Sequence, residues 1–413
     1  MMRLKGKYLE PIRAFANELV PLEWHRADAV PAFAGVIDLL KRLHGRWLGE
    51  ADARSFLFSE LAVFSAPGAG VNGALSAPEN AEVLERFVRQ LQTAIESLPR
   101  NYWLEIELAR FPKLGEFCIP LAETVELVGT DERFGGNTWA GASTAARPDV
   151  ENAEGCCYLR IRTSGYGSSF AYSQAVSAAV ATAKHCALFL LRYCACVNLG
   201  PFSEVSARCN LKWDSGFSSK VFLSDSVARF FGGLEMQEHF LEVLDSTAVG
   251  STLLTGRRRT AVTAEEKIEA MRGRMWRASG FLQRHRLPHF AGICAAMEWY
   301  FDSITVDNQT LAYLAACIGL EALLGYGAET PDRMEAMSVR LGDRYGFLMG
   351  QDRTDREKLA AEYRDVLAVR GHLVHARKPR LTQNELDNLR KAQEMLGNVI
   401  WKEVSTLLKS PTD

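Results

Sequence analysis

Residues 363–377, YRDVLAVRGHLVHAR, decide how the last third of this chain is read. Leu359, Tyr363, Val366, position 370 and Leu373 follow in steps of four, three, four and three, the spacing of a core-facing seam on an α-helix. In that seam an arginine, Arg370, stands where an apolar residue belongs. Working outward, the chain reads as helix from about residue 265 onward. Asn308 is placed to cap a helix that runs to Gly325, with the glycine suited to the left-handed terminal position. Thr330-Pro331 opens another helix that ends near Gly350. Thr354/Glu357 and Thr382/Glu385 have capping-box spacing, the second for a last helix to about Leu408. With LPHFAGICAAMEWYFDSI (287–304), these segments predict an all-α antiparallel bundle with short loops over 288–409.

A second polar residue interrupts a dry stripe. Leu311, Leu314, Ile318, Glu321 and Gly325 repeat the same steps. A guanidinium or a carboxylate is costly to bury unpaired, so Arg370 and Glu321 are expected to meet. Two readings of that pair stand side by side: a structural ion pair that fixes the bundle, and a carboxylate that orients an arginine at a cleft. His375 lies about 140° around the helix from Arg370 and about 7.5 Å along it, while His372 and Gly371 share its side. One straight helix could hardly aim Arg370 and His375 at one ligand. Two copies meeting across a two-fold axis could, and Gly371 would let such helices approach closely.

Arg370-Gly-His-Leu-Val-His375 matches the R-x4-6-H signature of HEPN domains, which are helical bundles, and the surrounding text resembles the ApeA-like branch. AAMEWYFDSITVDNQTLAYLAACIGLEALLG is similar to the first two helices of that branch, MSVRLGDRYGFLM to its third and YRDVLAVRGHLVHAR to its fourth. The resemblance covers about residues 290 to 405. The chain departs from many nuclease members in carrying Gly371 directly after the arginine. It also lacks a tyrosine two residues after His375, unlike the adenylylated, antitoxin-partnered type.

The resemblance implies a homodimeric, metal-independent endoribonuclease used in antiviral defence or as a toxin, with no cofactor. The residue types suit that chemistry. RNA supplies its own nucleophile, the 2′-hydroxyl. Histidine is the residue type that exchanges a proton near neutral pH, which suits His375 to that role. Arg370 can hold the phosphate through paired hydrogen bonds, Glu321 would orient it, and His372 is a candidate helper. Arg377, Lys378 and Arg380 are the expected RNA contacts near this site, and Arg257, Arg258 and Arg259 are more distant ones. The latter three open a basic, mostly helical connector, 256–287, whose alternative is a solvated face. The rival from another class is a non-catalytic scaffold or sensor that dimerises or binds RNA or a protein partner.

Residues 1–255 read as an α+β region that senses a trigger, a ligand or protein, or selects substrate. SAPENAEVLERFVRQLQTAIESL has Ser76 and Glu79 in capping-box spacing, and YWLEIEL alternates as a half-buried strand. CIPLAETVELVG and YLRIRTSG are two further strand candidates, and KVFL a short one, with a cysteine-rich helix from about 173 to 197. GAGVNG (68–73) precedes its helix by too much to cradle a phosphate on the helix N-terminus. Nine cysteines, an odd number with no CxxC pair, point to free thiols and not to zinc. Cys194 and Cys196, two apart on the expected helix, would diverge. AVSAAVATAKHCALFLLRYCACV is broken by Lys184, His185 and Arg192, so it reads as a core helix and no membrane span is expected. Met1 to Arg13 has charges throughout and no apolar run, so no secretory leader is expected and a cytoplasmic location is. A net charge of −2 leaves any nucleic-acid site to local patches.

Overall fold

The alternation of Leu104, Ile106 and Leu108 does build a strand, the longest in a computed structural model that describes residues 4, 6–64, 74–112, 114–130, 154–167, 173–193, 196–198, 209–213, 218–236, 263–325, 334–375 and 379–409. This strand, β1 (Arg100–Pro112), sits inside a six-stranded sheet of order β2-β3-β4-β1-β6-β7. The other members are β2 (Phe117–Ala122), β3 (Val125–Thr130), β4 (Glu154–Gly165), β6 (Cys209–Trp213) and β7 (Ser218–Lys220). A separate antiparallel pair joins β5 (Cys196–Asn198) to β8 (Leu234–Met236). Glu105 is buried together with its apolar neighbours, so β1 is covered on both faces there and is not half-buried.

Two expectations for this sheet are corrected. CIPLAETVELVG is a hairpin and not one strand: β2 and β3 pair antiparallel, Ile119 opposite Leu127, with the turn at Glu123–Thr124. The strand expected at KVFL ends at Lys220. Cys196 also lies on a strand, so its separation from Cys194 is not that of a helix; Cys194 falls outside the described residues.

The chain divides into two compact units that interleave in sequence. One comprises residues 1–105, 161–180 and 209–223, the other 106–160, 181–208 and 224–413. These boundaries differ from the expected 1–255, 256–287 and 288–409 regions. The first unit is built on four helices, α1 (Glu10–Glu18), α2 (Phe33–His44), α3 (Glu50–Phe64) and α4 (Ala81–Glu96). Their core holds Ile12, Phe15, Leu40, Phe56, Leu61, Phe87 and Leu91. Phe15 meets Phe33 edge-on, and Tyr166 is buried among them with its hydroxyl 3.3 Å from Ser59 Oγ. Helix α4 does not use the Ser76/Glu79 box: a 3-10 turn, Pro78–Asn80, comes first, and Asn80 spends its amide on the Ala74 carbonyl.

The second unit holds the helical C-terminus. After α5 (Gln174–Tyr193) and α6 (Asp225–Gly232) come α7 (Ala264–Arg274) and α8 (Trp276–Leu282). The remaining helices are α9 (Ala291–Thr305), α10 (Gln309–Leu324), α11 (Met334–Met349), α12 (Arg353–Val374) and α13 (Leu386–Lys409). Helix α9 packs on α10 and α13, α10 on α13, and α11 on α12. Gly319 is where α10 meets α9 and α13, because a Cβ there would lie 2.6 Å from Leu396 and 3.1 Å from Trp299 Cβ. Asn308 caps α10 through Thr310 N–H and Leu311 N–H, and Thr382 and Glu385 form their box. Gly325, however, is right-handed (φ −84°), and α12 is capped by Asp352, whose carboxylate accepts Asp355 N–H, and not by Thr354.

Among the described helices, Gln174–Arg192 of α5 is long and apolar enough to cross a membrane, yet 56% of that window is buried inside the protein. Its charges are matched within the fold: Lys184 Nζ donates to Asp302 at 2.6 Å, and His185 lies 3.3 Å from Glu298. The neighbouring His285, whose ring lies near those of His185 and Phe281, has its pKa lowered, chiefly by burial, with the charge of Arg286 acting in the same direction. His44, in the first unit, is lowered by burial as well. Folding therefore binds fewer protons than the unfolded chain once pH falls below about 6.5, and stability should drop there on acidification. Urea midpoints at pH 7.5 and 5.5 would measure that drop (about two pH units spanning the histidine range). His285→Gln should shrink it; an unchanged drop would mean that His285 contributes nothing.

Candidate functional site

Helices α10 and α12 bring Arg370 and Glu321 together as expected. Arg370 Nη2 donates to Glu321 Oε2 at 3.1 Å, with the side chains 23% and 31% exposed. The seam on α12 explains Arg370: Tyr363 and Val366 beneath it are buried, and Leu359 and Leu373 are partly covered. The stripe on α10 is less dry than its spacing suggests. Leu311 is 54% exposed, and the fully buried side carries Ala312, Tyr313, Ala316, Cys317 and Leu320. Glu321 thus sits at the margin of α10, where a carboxylate can face α12 and still touch water.

Tyr313 locks the two helices together by donating its hydroxyl to the Val366 carbonyl. On its inner side the pair is covered by buried groups. Burial raises the Glu321 carboxyl above its ordinary value, against the opposing pull of Arg370. Burial likewise pushes the Cys317 thiol up to about 12 and raises the Tyr363 phenol, which also feels the Glu321 charge. Arg370 Nε and Tyr363 Oη are buried with no hydrogen-bond partner among the described residues. Tyr363 was legible in sequence as a seam residue, but nothing in the spacing marked its hydroxyl as part of a polar site.

A raised carboxyl pKa has a definite consequence. The native state holds the Glu321 proton more tightly, so its contribution is greatest below the ordinary carboxylate value and is lost as pH rises through the folded one. Removing the charge while keeping the shape, Glu321→Gln, should therefore change stability at pH 7 by less than about 1 kcal/mol. Arg370→Met, which strands the carboxylate, should cost about 1–3 kcal/mol, below the fully buried case because the pair is partly wet. Chemical denaturation of both variants checks the ordering; equal losses would contradict it.

His375 is exposed at the C-cap of α12, its backbone N–H bonded to the Gly371 carbonyl at 3.0 Å. His372 is also exposed, and a Cβ on Gly371 would meet nothing within 4 Å. The structure does not bring either histidine to the Arg370–Glu321 pair within one chain: Arg370 faces α10, and the histidines face solvent. Arg380 is exposed just beyond. Arg377, Lys378, Arg257, Arg258 and Arg259 lie outside the described residues. Among the described residues, no group of three or more His, Cys, Asp or Glu side chains is placed to hold a metal ion.

The fold and site together define a chain of α-helices with a small sheet, in which a partly buried Arg–Glu pair joins two C-terminal helices and an exposed histidine lies at the end of one. Comparison with protein families, with characterised proteins and with solved structures gives no match.

Proposed function

We propose that the C-terminal helices form a HEPN-like endoribonuclease that acts as a homodimer without a metal or other cofactor. The observation that carries this reading is the state of Arg370: one carboxylate oxygen holds it, it remains 23% exposed, and it lies one helical segment from an unengaged, exposed His375. A guanidinium has five N–H donors in a fixed fork, so the bond to Glu321 leaves donors for a phosphate. His375 takes the proton of the ribose 2′-hydroxyl. The 2′-oxygen then bonds to phosphorus as the phosphorus–5′-oxygen bond breaks, and the 5′-oxygen leaves as a hydroxyl with a proton taken from water. Arg370 stabilises charge on the phosphate as it builds. Because the two groups point apart within one chain, each site takes Arg370 from one protomer and His375 from its partner. Val374, 50% exposed beside Gly371, gives the end of α12 an apolar spot for that contact. Arg380 and the flanking Arg377 and Lys378 would hold the RNA backbone. A role in antiviral defence or as a toxin fits an enzyme that cuts RNA, with residues 1–255 sensing the trigger or selecting the substrate.

The test is incubation of the full chain with total RNA and tRNA in EDTA. Cleavage leaving 2′,3′-cyclic phosphate and 5′-hydroxyl ends is the expected result, and 5′-phosphate ends would contradict the chemistry. One observation favours a second reading, a scaffold that dimerises or binds RNA without cutting it: no described side chain orients the His375 ring, as an acid–base catalyst requires. RNA binding with no cleavage would favour that reading.

A further inference from the structure

Two tyrosines line the contact of α10 with α12, and the fold uses the hydroxyl of one. Tyr313 of α10 donates to the Val366 carbonyl. Tyr363 of α12 is fully buried, and its hydroxyl has no hydrogen-bond partner among the described residues. Helix α11 fixes its ring. Tyr345 stacks on it at 5.6 Å between ring centres, and Gly342 lies against it, since a Cβ there would be 3.7 Å from Tyr363 Cδ1. Phenylalanine would fill the same space and shed the cost of a buried, unsatisfied hydroxyl. The hydroxyl is accounted for by a second arrangement of the site in which it is satisfied.

The groups around that hydroxyl name its acceptor. Tyr363 and Arg370 stand seven residues apart on one seam of α12, about 10.5 Å along the axis. A long side chain on a helix leans back toward the N-terminus, so the Arg370 guanidinium is carried toward the level of Tyr363. Glu321 of α10 meets the guanidinium at 3.1 Å. The bond runs through Nη2, while the buried Nε makes no hydrogen bond among the described residues. The Tyr363 phenol is raised by burial first and then by the charges of Glu321 and Cys317, with Arg370 pulling the other way. Cys317 is itself pushed up to about 12, so it is a neutral thiol at pH 7. Glu321 is therefore the charged acceptor beside Tyr363.

We propose that Tyr363 is a positioning residue, whose hydroxyl takes over the Glu321 carboxylate when charge building on an RNA phosphate draws Arg370 away. The inference rests on the reading of Arg370 as the phosphate-binding group. At rest, Glu321 holds Arg370 in place. As negative charge builds on the phosphate oxygens, they compete for the guanidinium, and Glu321 faces the loss of its counterion in a partly buried setting. The Tyr363 O–H then turns onto Glu321 and donates to it. No proton changes owner in this step. A hydrogen bond to a charged acceptor is stronger than one between neutral groups, so the exchange lowers the cost of moving the arginine. Tyr363 touches no RNA and acts through Glu321.

Two measurements on the full-length chain test this separately. The first is a stability cycle that needs no activity. In the wild type, Tyr363→Phe should leave the urea midpoint unchanged or raise it, because the hydroxyl it removes is unsatisfied. In Arg370→Met, where Glu321 has lost its cation, the same change should lower the midpoint by about 0.5 M, because Tyr363 now holds the carboxylate. Adding Glu321→Leu to that background should abolish the loss. Equal effects of Tyr363→Phe with and without Arg370 would overturn the proposal. The second measurement is cleavage of an oligouridylate in EDTA. Tyr363→Phe should lower kcat about tenfold and change KM by less than about twofold, since the hydrogen bond forms only as charge builds. An unchanged kcat, in a wild type that cuts, would also overturn it. A wild type that does not cut would sink the nuclease reading, and the stability cycle would then decide the role of Tyr363 by itself.

Discussion

Replacing Arg370 or His375 with alanine is expected to remove RNA cleavage in EDTA, by about 10²- to 10⁴-fold in rate for each. The two losses have different origins. Arg370→Ala takes away the charge that meets the phosphate and also leaves Glu321 with no counterion in a partly buried setting. His375→Ala removes only the proton carrier, from an exposed helix end where no packing is disturbed. The first variant should therefore lose stability as well as activity, and the second activity alone. Mixing them provides the sharper check. If each site draws Arg370 from one protomer and His375 from its partner, a mixed dimer of the two inactive variants regains one intact site. Activity on mixing, absent from either variant alone, is the expected outcome. No recovery, with dimers confirmed by light scattering, would place both groups in one chain or in no site at all.

The second large effect is structural, and it bears on how α12 is held. Helices α11 and α12 approach so closely that glycine is required at their crossing. A Cβ at Gly346 would lie 2.5 Å from the Arg356 carbonyl oxygen, and one at Gly342 would lie 3.0 Å from the Ala360 carbonyl oxygen. Gly350 repeats the theme one turn on, 2.6 Å from Arg356 Cγ. At Gly346 the neighbour is backbone, which cannot swing aside as a side chain can. Gly346→Val should push the helices apart and cost about 2–4 kcal/mol, more than an alanine, whose better helix propensity returns up to about 1 kcal/mol. Urea denaturation of the full chain measures it, and a loss under about 1 kcal/mol would show that the crossing can relax. Since α12 carries Arg370 on its far turns, the same variant should also disturb the Glu321 contact, read as a weaker dependence of stability on Arg370→Met.

Much of the C-terminal half was legible because helices announce themselves locally. The seam Leu359–Tyr363–Val366–Arg370 and the caps Asn308 and Thr382 depend on residues within a few turns of one another, so their spacing is enough. The cap of α12 lies two residues before the one its spacing predicts, because Asp352 and Thr354 can both accept a helix N–H and only the path of the chain chooses between them. CIPLAETVELVG reads as one strand and folds as a hairpin, since a two-residue turn at Glu123–Thr124 carries neither glycine nor proline to mark it.

What the sequence determined by itself is the presence of a charged pair on facing helices and of free histidines after it. An arginine and a glutamate at core-facing spacing have few tolerable arrangements, and desolvation leaves pairing as the accessible one. Tertiary structure alone decided how dry that pair is, that the Tyr363 hydroxyl beside it has no hydrogen-bond partner among the described residues, that Leu311 of the expected stripe lies in water, and that Trp276 stays exposed. It also joined residues 106–160 and 181–208 to the C-terminal helices. Each of these depends on groups far apart in the chain. Helical periodicity reports which side of an element is apolar, and only packing reports what comes to cover it.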